Sequence, residues 1–328
     1  MQISLAHARP FVLACAACLV ALAATRVQAA TDPLPSWNDG AAKSRIVSFV
    51  QAVIDPTGKD YVAPGARVAV FDNDGTLWSE QPAYFQAIFA MDTVKAMAAK
   101  DPALAANPAI AAAATGDPKA LVEVMTITHA NTTSDEFAAR VRQWTKTAKH
   151  PTLHRRYTEL TFQPMRELLD YLDANGFSTW IVSGGGVEFM RVFAEDVYGI
   201  PPERVIGSSI RTKYEVRDGK PVMVRLPEIE FVDDKEGKPV GIHKFIGKRP
   251  IMAFGNSDGD FQMLEWTTSA PGPRLAMIVH HDDAVREFAY DRGSHIGKLE
   301  RGLDEARARG WSLISVKSDW NSVYAAAR

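Results

Sequence analysis

The sequence predicts an α/β fold: a doubly wound parallel sheet with helices on both faces and a helical module inserted after the first strand. Three observations lead there. Short apolar runs ending in polar turns recur along the chain, the pattern of strands buried on both faces. Helical stretches separate these runs, and such alternation builds an open α/β sheet. Residues 81–163 interrupt the alternation with an Ala-rich, helix-patterned stretch that contains no run of this kind.

In chain order, the first run is Arg67 to Phe71, which follows Pro64-Gly65. Within the inserted stretch, Thr133 and Glu136 have the spacing of a capping box. They predict a helix that presents Phe137, Val141 and Trp144 on one face. Pro164 opens another helix, with Leu168, Leu169 and Leu172 on one face, and Asn175-Gly176 closes it. The second strand is expected at Phe177 to Val182, with a helix from Val187 to Tyr198. After Ser208, Lys213 to Val216 and Val222 to Arg225 read as a hairpin around Asp218-Gly219, a flap on the sheet's edge. Runs at Pro250 to Phe254, Leu275 to Val279 and Trp311 to Val316 complete the sheet. Ligands of such sheets bind beyond the carboxyl ends of the strands.

Composition sets the outer bounds. A chain of 328 residues, 46% apolar and 23% charged, can bury one large core and a smaller accessory one. Its net charge of −2 is mixed along the chain and offers no field of one sign to a nucleic-acid backbone. Nucleic acid is not an expected partner. At the start, His7 and Arg9 precede an apolar run from Phe11 to Ala24, and Val27-Gln28-Ala29 supplies small residues for cleavage. That run is shorter than the roughly twenty residues a bilayer core demands. Residues 1–29 therefore read as a secretory signal, placing the mature protein in the periplasm with no membrane attachment. Both cysteines, Cys15 and Cys18, lie in that segment, so disulfides, thiolate catalysis and Cys-ligated zinc are not expected after cleavage.

Chemistry concentrates at three strand ends. The first run ends in Asp72-Asn73-Asp74-Gly75-Thr76-Leu77, two carboxylates at i, i+2 where the chain turns away. The second ends in Val182-Ser183-Gly184-Gly185-Gly186 before a helix, where a hydroxyl and backbone N–H groups can hold an anion. The run at Ile251 to Phe254 ends in Gly255-Asn256-Ser257-Asp258-Gly259-Asp260, oxygen donors of the kind magnesium takes.

The first string resembles the nucleophile motif of haloacid-dehalogenase-like phosphatases, and the Ser-Gly-Gly string resembles the second motif of their phosphoserine-phosphatase-like members. The resemblance implies that Asp72 attacks phosphorus. Asp74 then protonates the leaving oxygen and later activates water, while Thr76 orients Asp72 and belongs with the phosphate-binding residues. Asn73 only separates the pair. Ser183 and the Gly184 N–H would contact phosphate. A phosphate-neutralising lysine follows the hairpin in such members, which points to Lys238, with Lys244 as the alternative. Magnesium would bridge Asp72, the main-chain carbonyl of Asp74 and the phosphate. The fourth motif departs from the family pattern, because Asn256 stands where a carboxylate is usual. The metal ligand then lies between Asn256, with Asp260 behind it, and Asp258.

The resemblance divides the chain into a core of residues 30–80 plus 164–328 and a helical cap of residues 81–163. It implies a magnesium-dependent phosphatase acting on a small phosphorylated substrate. A dehalogenase on the same fold and a non-catalytic binding protein for phosphorylated solutes are the rival readings. Outside the motifs, Glu80, Tyr84 and Phe85 are candidates for leaving-group recognition. His280-His281-Asp282-Asp283 reads as a solvated loop, and Lys146, Lys149, His150, His154, Arg155 and Arg156 as a solvated helix face. If the leader is cleaved as argued, N-terminal sequencing of the exported protein begins at Ala30 or Thr31; an intact Met1 would refute export.

Overall fold

The computed structural model describes residues 32–326. The predicted leader and both cysteines lie outside the described residues. Helix α1 (Ala41–Ile54) precedes β1 (Val68–Phe71). The insertion follows as α2 (Phe85–Ala98), α3 (Pro102–Ala105), α4 (Pro108–Ala114), α5 (Pro118–His129) and α6 (Ser134–Thr147). Next come α7 (Gln163–Ala174), β2 (Ser178–Gly186), α8 (Val187–Arg191) and α9 (Ala194–Tyr198). The hairpin is β3 (Val205–Arg217) and β4 (Lys220–Phe231), and α10 (Gly237–Gly241) leads to β5 (Met252–Gly255). The chain ends through α11 (Phe261–Thr268), β6 (Leu275–Asp282), β7 (Ala289–Tyr290), α12 (Arg301–Glu305), β8 (Ser312–Ser315) and α13 (Val316–Asp319). No described helix is long and apolar enough to cross a membrane.

The sheet runs β4-β3-β2-β1-β5-β6-β7, with β8 also paired to β6. β1 pairs in parallel with β2 and β5, so Phe71 stands opposite both Ile181 and Phe254. Alternate residues of β1 enter opposite cores. Ala69 and Phe71 pack with Leu168, Leu169 and Leu172 of α7, while Val68 and Val70 pack with Phe261 and Trp311. Burial on both faces explains why this strand is apolar throughout rather than alternating. The Phe71 and Phe254 rings stack 4.7 Å apart and lock the two central strands together just below the site.

The capping box forms as its spacing predicts. Thr133 Oγ1 accepts from the Glu136 N–H at 3.2 Å, and Glu136 Oε2 accepts from the Thr133 N–H at 2.8 Å. The insertion and the sheet belong to one compact unit that begins at Pro33. They also meet along a backbone seam. The Asn131 N–H donates to the Arg225 carbonyl at 2.8 Å, and the Arg225 N–H donates to the Thr132 carbonyl at 2.9 Å.

Four expectations are corrected. The hairpin is longer than its sequence signal, because β3 first lies parallel to β2, with Val205 opposite Ile181, before it turns antiparallel to β4. Its turn has positive φ at both Asp218 and Gly219, as a type I′ turn demands. The helix expected from Val187 to Tyr198 is two short helices, interrupted where the Phe193 ring stacks on Trp78 at 4.6 Å. The basic stretch leaves the helix after Thr147, and His150 is buried, donating to the Gln81 carbonyl at 2.7 Å. The His280 to Asp283 segment is not a solvated loop: β6 continues through Asp282 and buries His281.

Candidate active site

Parallel pairing brings the carboxyl ends of β1, β2 and β5 to one edge, and α10 delivers a lysine between them. Lys238 Nζ lies 3.0 Å from Asp72 Oδ1 and 2.5 Å from Asp260 Oδ1, and it donates to the Val182 carbonyl at 3.0 Å. The side chain is fully buried. Burial pulls the ammonium pKa down, but Asp260 and Asp72 outweigh it and hold the lysine charged. For Asp72 burial raises the pKa, Asp260 raises it further, and Lys238 opposes both. Lys244, the alternative, is exposed, with its ammonium 5.1 Å from the Phe245 ring centre.

The turn after β1 explains its own sequence. The Asn73 carbonyl accepts from the Thr76 and Leu77 N–H groups at 3.1 and 2.8 Å. Asn73 does more than separate the aspartates, since its buried Oδ1 accepts from the Tyr198 hydroxyl at 3.0 Å. Gly75 has φ of 73°, and a Cβ there would overlap Asn256 Nδ2 and Glu80 Oε1, so glycine is required twice over. Asp74 Oδ1 accepts from Trp78 Nε1 at 2.7 Å, and burial raises its pKa to about 6. The Thr76 hydroxyl donates to Asn256 Oδ1 at 3.1 Å, tying the first turn to the fourth-motif loop rather than to Asp72.

On the opposite wall, Ser183 is buried and its Oγ accepts from the Gly185 N–H at 3.2 Å. Gly184 is exposed, and its carbonyl accepts from Ser208 Oγ at 2.8 Å. The Gly186 N–H donates to Gln86 Oε1 at 2.7 Å, so the insertion takes up one donor of this turn.

The fourth-motif loop divides its polar residues among separate tasks. Asp260 Oδ2 accepts from the Asn256 and Ser257 N–H groups at 2.9 and 3.0 Å, shaping the loop while Oδ1 holds Lys238. Asp258 is engaged by the start of α12. Its carboxylate accepts from the N–H groups of Glu300, Arg301 and Gly302 at 3.2, 3.1 and 2.9 Å, at the start of α12. Asn256 is buried beside Glu80, donating from Nδ2 to Glu80 Oε1 at 2.7 Å.

Glu80 belongs to a buried network that sequence reasoning did not assemble. Tyr290 donates its hydroxyl to Glu80 Oε1 at 2.8 Å. His281 bonds the Gly75 carbonyl and Glu287 Oε1, each at 2.7 Å. Burial pushes Glu80 up to about 7, against the pull of His281. Burial also lowers His281, but Glu287 and its other partners raise it overall. Glu80 stood out because it directly follows the nucleophile turn and His281 as part of the His280 to Asp283 string, whereas Tyr290 is distant in sequence and gave no signal. Of the other leaving-group candidates, Tyr84 lines the cavity and Phe85 is core, its ring 4.5 Å from that of Tyr157.

Asp72, Asp74, Ser183, Gly184 and Lys238 all face one cavity of about 460 Å³. Residues 69–265, more than half of the chain, match the family model for haloacid dehalogenase-like hydrolases. The chain belongs to that family. No curated protein matches it by sequence. A conserved, functionally unknown protein from Anaerococcus prevotii shares its fold at 17% identity and a TM-score of 0.56, over 88% of this chain and 96% of that one. A protein of unknown function from Bordetella pertussis matches at 20% identity and a TM-score of 0.46, over 76% and 97%. A phosphoserine phosphohydrolase-like protein from Francisella tularensis matches at 19% identity and a TM-score of 0.38, over 74% and 98%.

Removing the lysine tests the charge cluster. Lys238→Met leaves Asp72 and Asp260 facing each other without a cation, at an expected cost of about 3–5 kcal/mol at pH 7. Because Asp72 already binds its proton more tightly folded than unfolded, the deficit shrinks on acidification. Urea midpoints at pH 7 and pH 5 measure it, and equal stability of variant and parent at pH 7 would refute the role.

Proposed function

We propose that the protein is a magnesium-dependent phosphatase that hydrolyses small phosphate monoesters through an aspartyl-phosphate on Asp72. The observation that carries this reading is the Asp72 carboxylate paired with Lys238 on the cavity wall, with Asp74 beside it. Asp72 attacks phosphorus, the bond to the leaving oxygen breaks, and the electron pair departs with that oxygen. Asp74, with its pKa raised to about 6, supplies the proton the alkoxide needs. It then accepts a proton from the water that attacks the aspartyl-phosphate, which releases phosphate and frees Asp72. Lys238 neutralises the phosphoryl oxygens as charge builds on them. Ser183 and Gly184, on the facing wall, hold those oxygens.

The residues present fit a divalent cation. Asp72, Asp74 and Glu80 all line the cavity, and burial penalises the charge of each. Asp72 Oδ1 is buried and accepts no hydrogen bond, its contact being the ion pair to Lys238. Among the described residues no three His, Cys, Asp or Glu side chains form a ready cation cluster, so main-chain and amide oxygens must contribute. Asp72, the Asp74 carbonyl and Asn256 Oδ1 would hold the ion. Magnesium supplies positive charge to the phosphoryl oxygens when bound. Glu80 orients the Asn256 amide, since its Oε1 accepts from Nδ2 and leaves the amide oxygen on the other side. Action outside the inner membrane is part of the same proposal and rests on the leader pattern of residues 1–29.

Asp72→Asn is expected to abolish turnover while leaving the thermal midpoint near that of the parent. Asp74→Asn slows both half-reactions by about 10²–10⁴. Rapid-quench detection of the phospho-enzyme checks both, and an unaltered steady state in either variant overturns its assignment. For the metal, Asn256→Asp places a second carboxylate beside Glu80, so it lowers the thermal midpoint in chelator and strengthens stabilisation by magnesium. Asp258→Asn loosens the start of α12 and leaves the magnesium response alone. Loss of that response in Asp258→Asn would move the ligand to Asp258.

A further inference from the structure

We propose that the leaving group is an apolar alcohol, an inference that rests on the phosphatase reading and names its substrate class. The cavity runs from Asp72 and Asp74 into a chamber walled by Leu121, Met125, Val187, Phe189, Leu226 and Ile229. Its volume of about 460 Å³ is that of a pocket able to enclose a drug-sized molecule. Phosphate occupies only the end at Asp72, so the chamber is left for the alcohol. Apolar character continues to the rim, where Val122, Ile229 and Val232 are 51%, 64% and 54% exposed.

Arg225, Glu188, Gln86 and His129 on the chamber wall are already engaged with one another. Arg225 pairs with Glu188, donates from Nε to the His129 carbonyl at 2.7 Å, and lies 4.0 Å over the Phe137 ring. Glu188 also accepts from the Ser134 hydroxyl at 2.6 Å. Gln86 bonds the Gly186 N–H on one side and the His129 ring, at 3.1 Å, on the other. Burial, then the nearby Arg225, lowers the His129 pKa to about 3, so the ring is neutral.

This arrangement decides between substrate classes. A phosphorylated amino acid brings an ammonium and a carboxylate; the exposed Asp234 carboxylate lines the cavity, but Arg225 is committed to Glu188 and Lys238 to Asp72 and Asp260, so no cation is left for the carboxylate of the substrate. A sugar phosphate brings several hydroxyls, and each one buried without a partner loses binding free energy. An alkyl or aryl body loses nothing on entering and gains by leaving water.

The test is a substrate series on the purified chain with magnesium: ethyl, butyl, hexyl and octyl phosphate, with phosphoserine and a hexose phosphate as polar counterparts. kcat/KM is expected to rise about fourfold per methylene until the chamber fills. Phosphoserine and the hexose phosphate should fall at least about tenfold below butyl phosphate. Met125→Gln, which keeps side-chain length, and Ile229→Gln, at the exposed rim, should flatten the chain-length slope. Turnover with a flat series, or a preference for either polar ester, overturns the chamber assignment and leaves the phosphatase reading standing. If no ester is turned over by the folded protein, the phosphatase reading falls and the chamber assignment with it.

Discussion

A single buried ammonium organises the carboxyl edge of this sheet. Lys238 reaches the side chain that follows the last residue of β1, the carbonyl that precedes Ser183 on β2, and the aspartate that shapes the loop after β5. Three segments far apart in sequence are thereby held at one point. A buried charge survives only with partners, and each partner survives only with the charge, so the cluster forms as a unit. The Asp260 carboxylate extends this order, since its second oxygen fixes the backbone that presents Asn256. Rigidity at this edge suits in-line attack, where small displacements of the nucleophile are costly.

Most of the sheet was legible because its strands are buried on both faces and read as uninterrupted apolar runs. The helix from Pro164 and the capping box at Thr133 were legible for a local reason, since their signals lie within a few residues. The first half of β3 escaped notice because its parallel pairing to β2 depends on a distant partner. Asp72, Asp74 and Lys238 could be named from motif order, and the structure places them in contact or at one cavity. The direction of Asp258 could not be read, because its partners lie more than forty residues onward at the start of α12.

Asn256 illustrates how a departure from a family pattern can be absorbed by the surroundings. The usual carboxylate is missing from the loop, yet Glu80 lies directly behind the amide and is bonded to it. A carboxyl group remains near the Asp74 turn but arrives from a different segment of chain. Gly75 makes this packing feasible by leaving room for both side chains. Tyr290 and His281 then brace the arrangement from β7 and β6.

The seam at Asn131, Thr132 and Arg225 also bears on how molecules pass in and out. The chamber has one wall from the insertion and one from the hairpin, and main-chain hydrogen bonds join these walls at one end. Neither wall can swing outward as an independent door. Widening on that side requires the two pieces to travel together, to pivot about the seam like the jaws of a clamp, or to rupture its hydrogen bonds. None of the groups assigned to phosphate chemistry lies on either piece, but Gln86 of the insertion and Ser208 of the hairpin both bond the Gly184 to Gly186 turn, so such a movement is felt at the reacting end of the cavity.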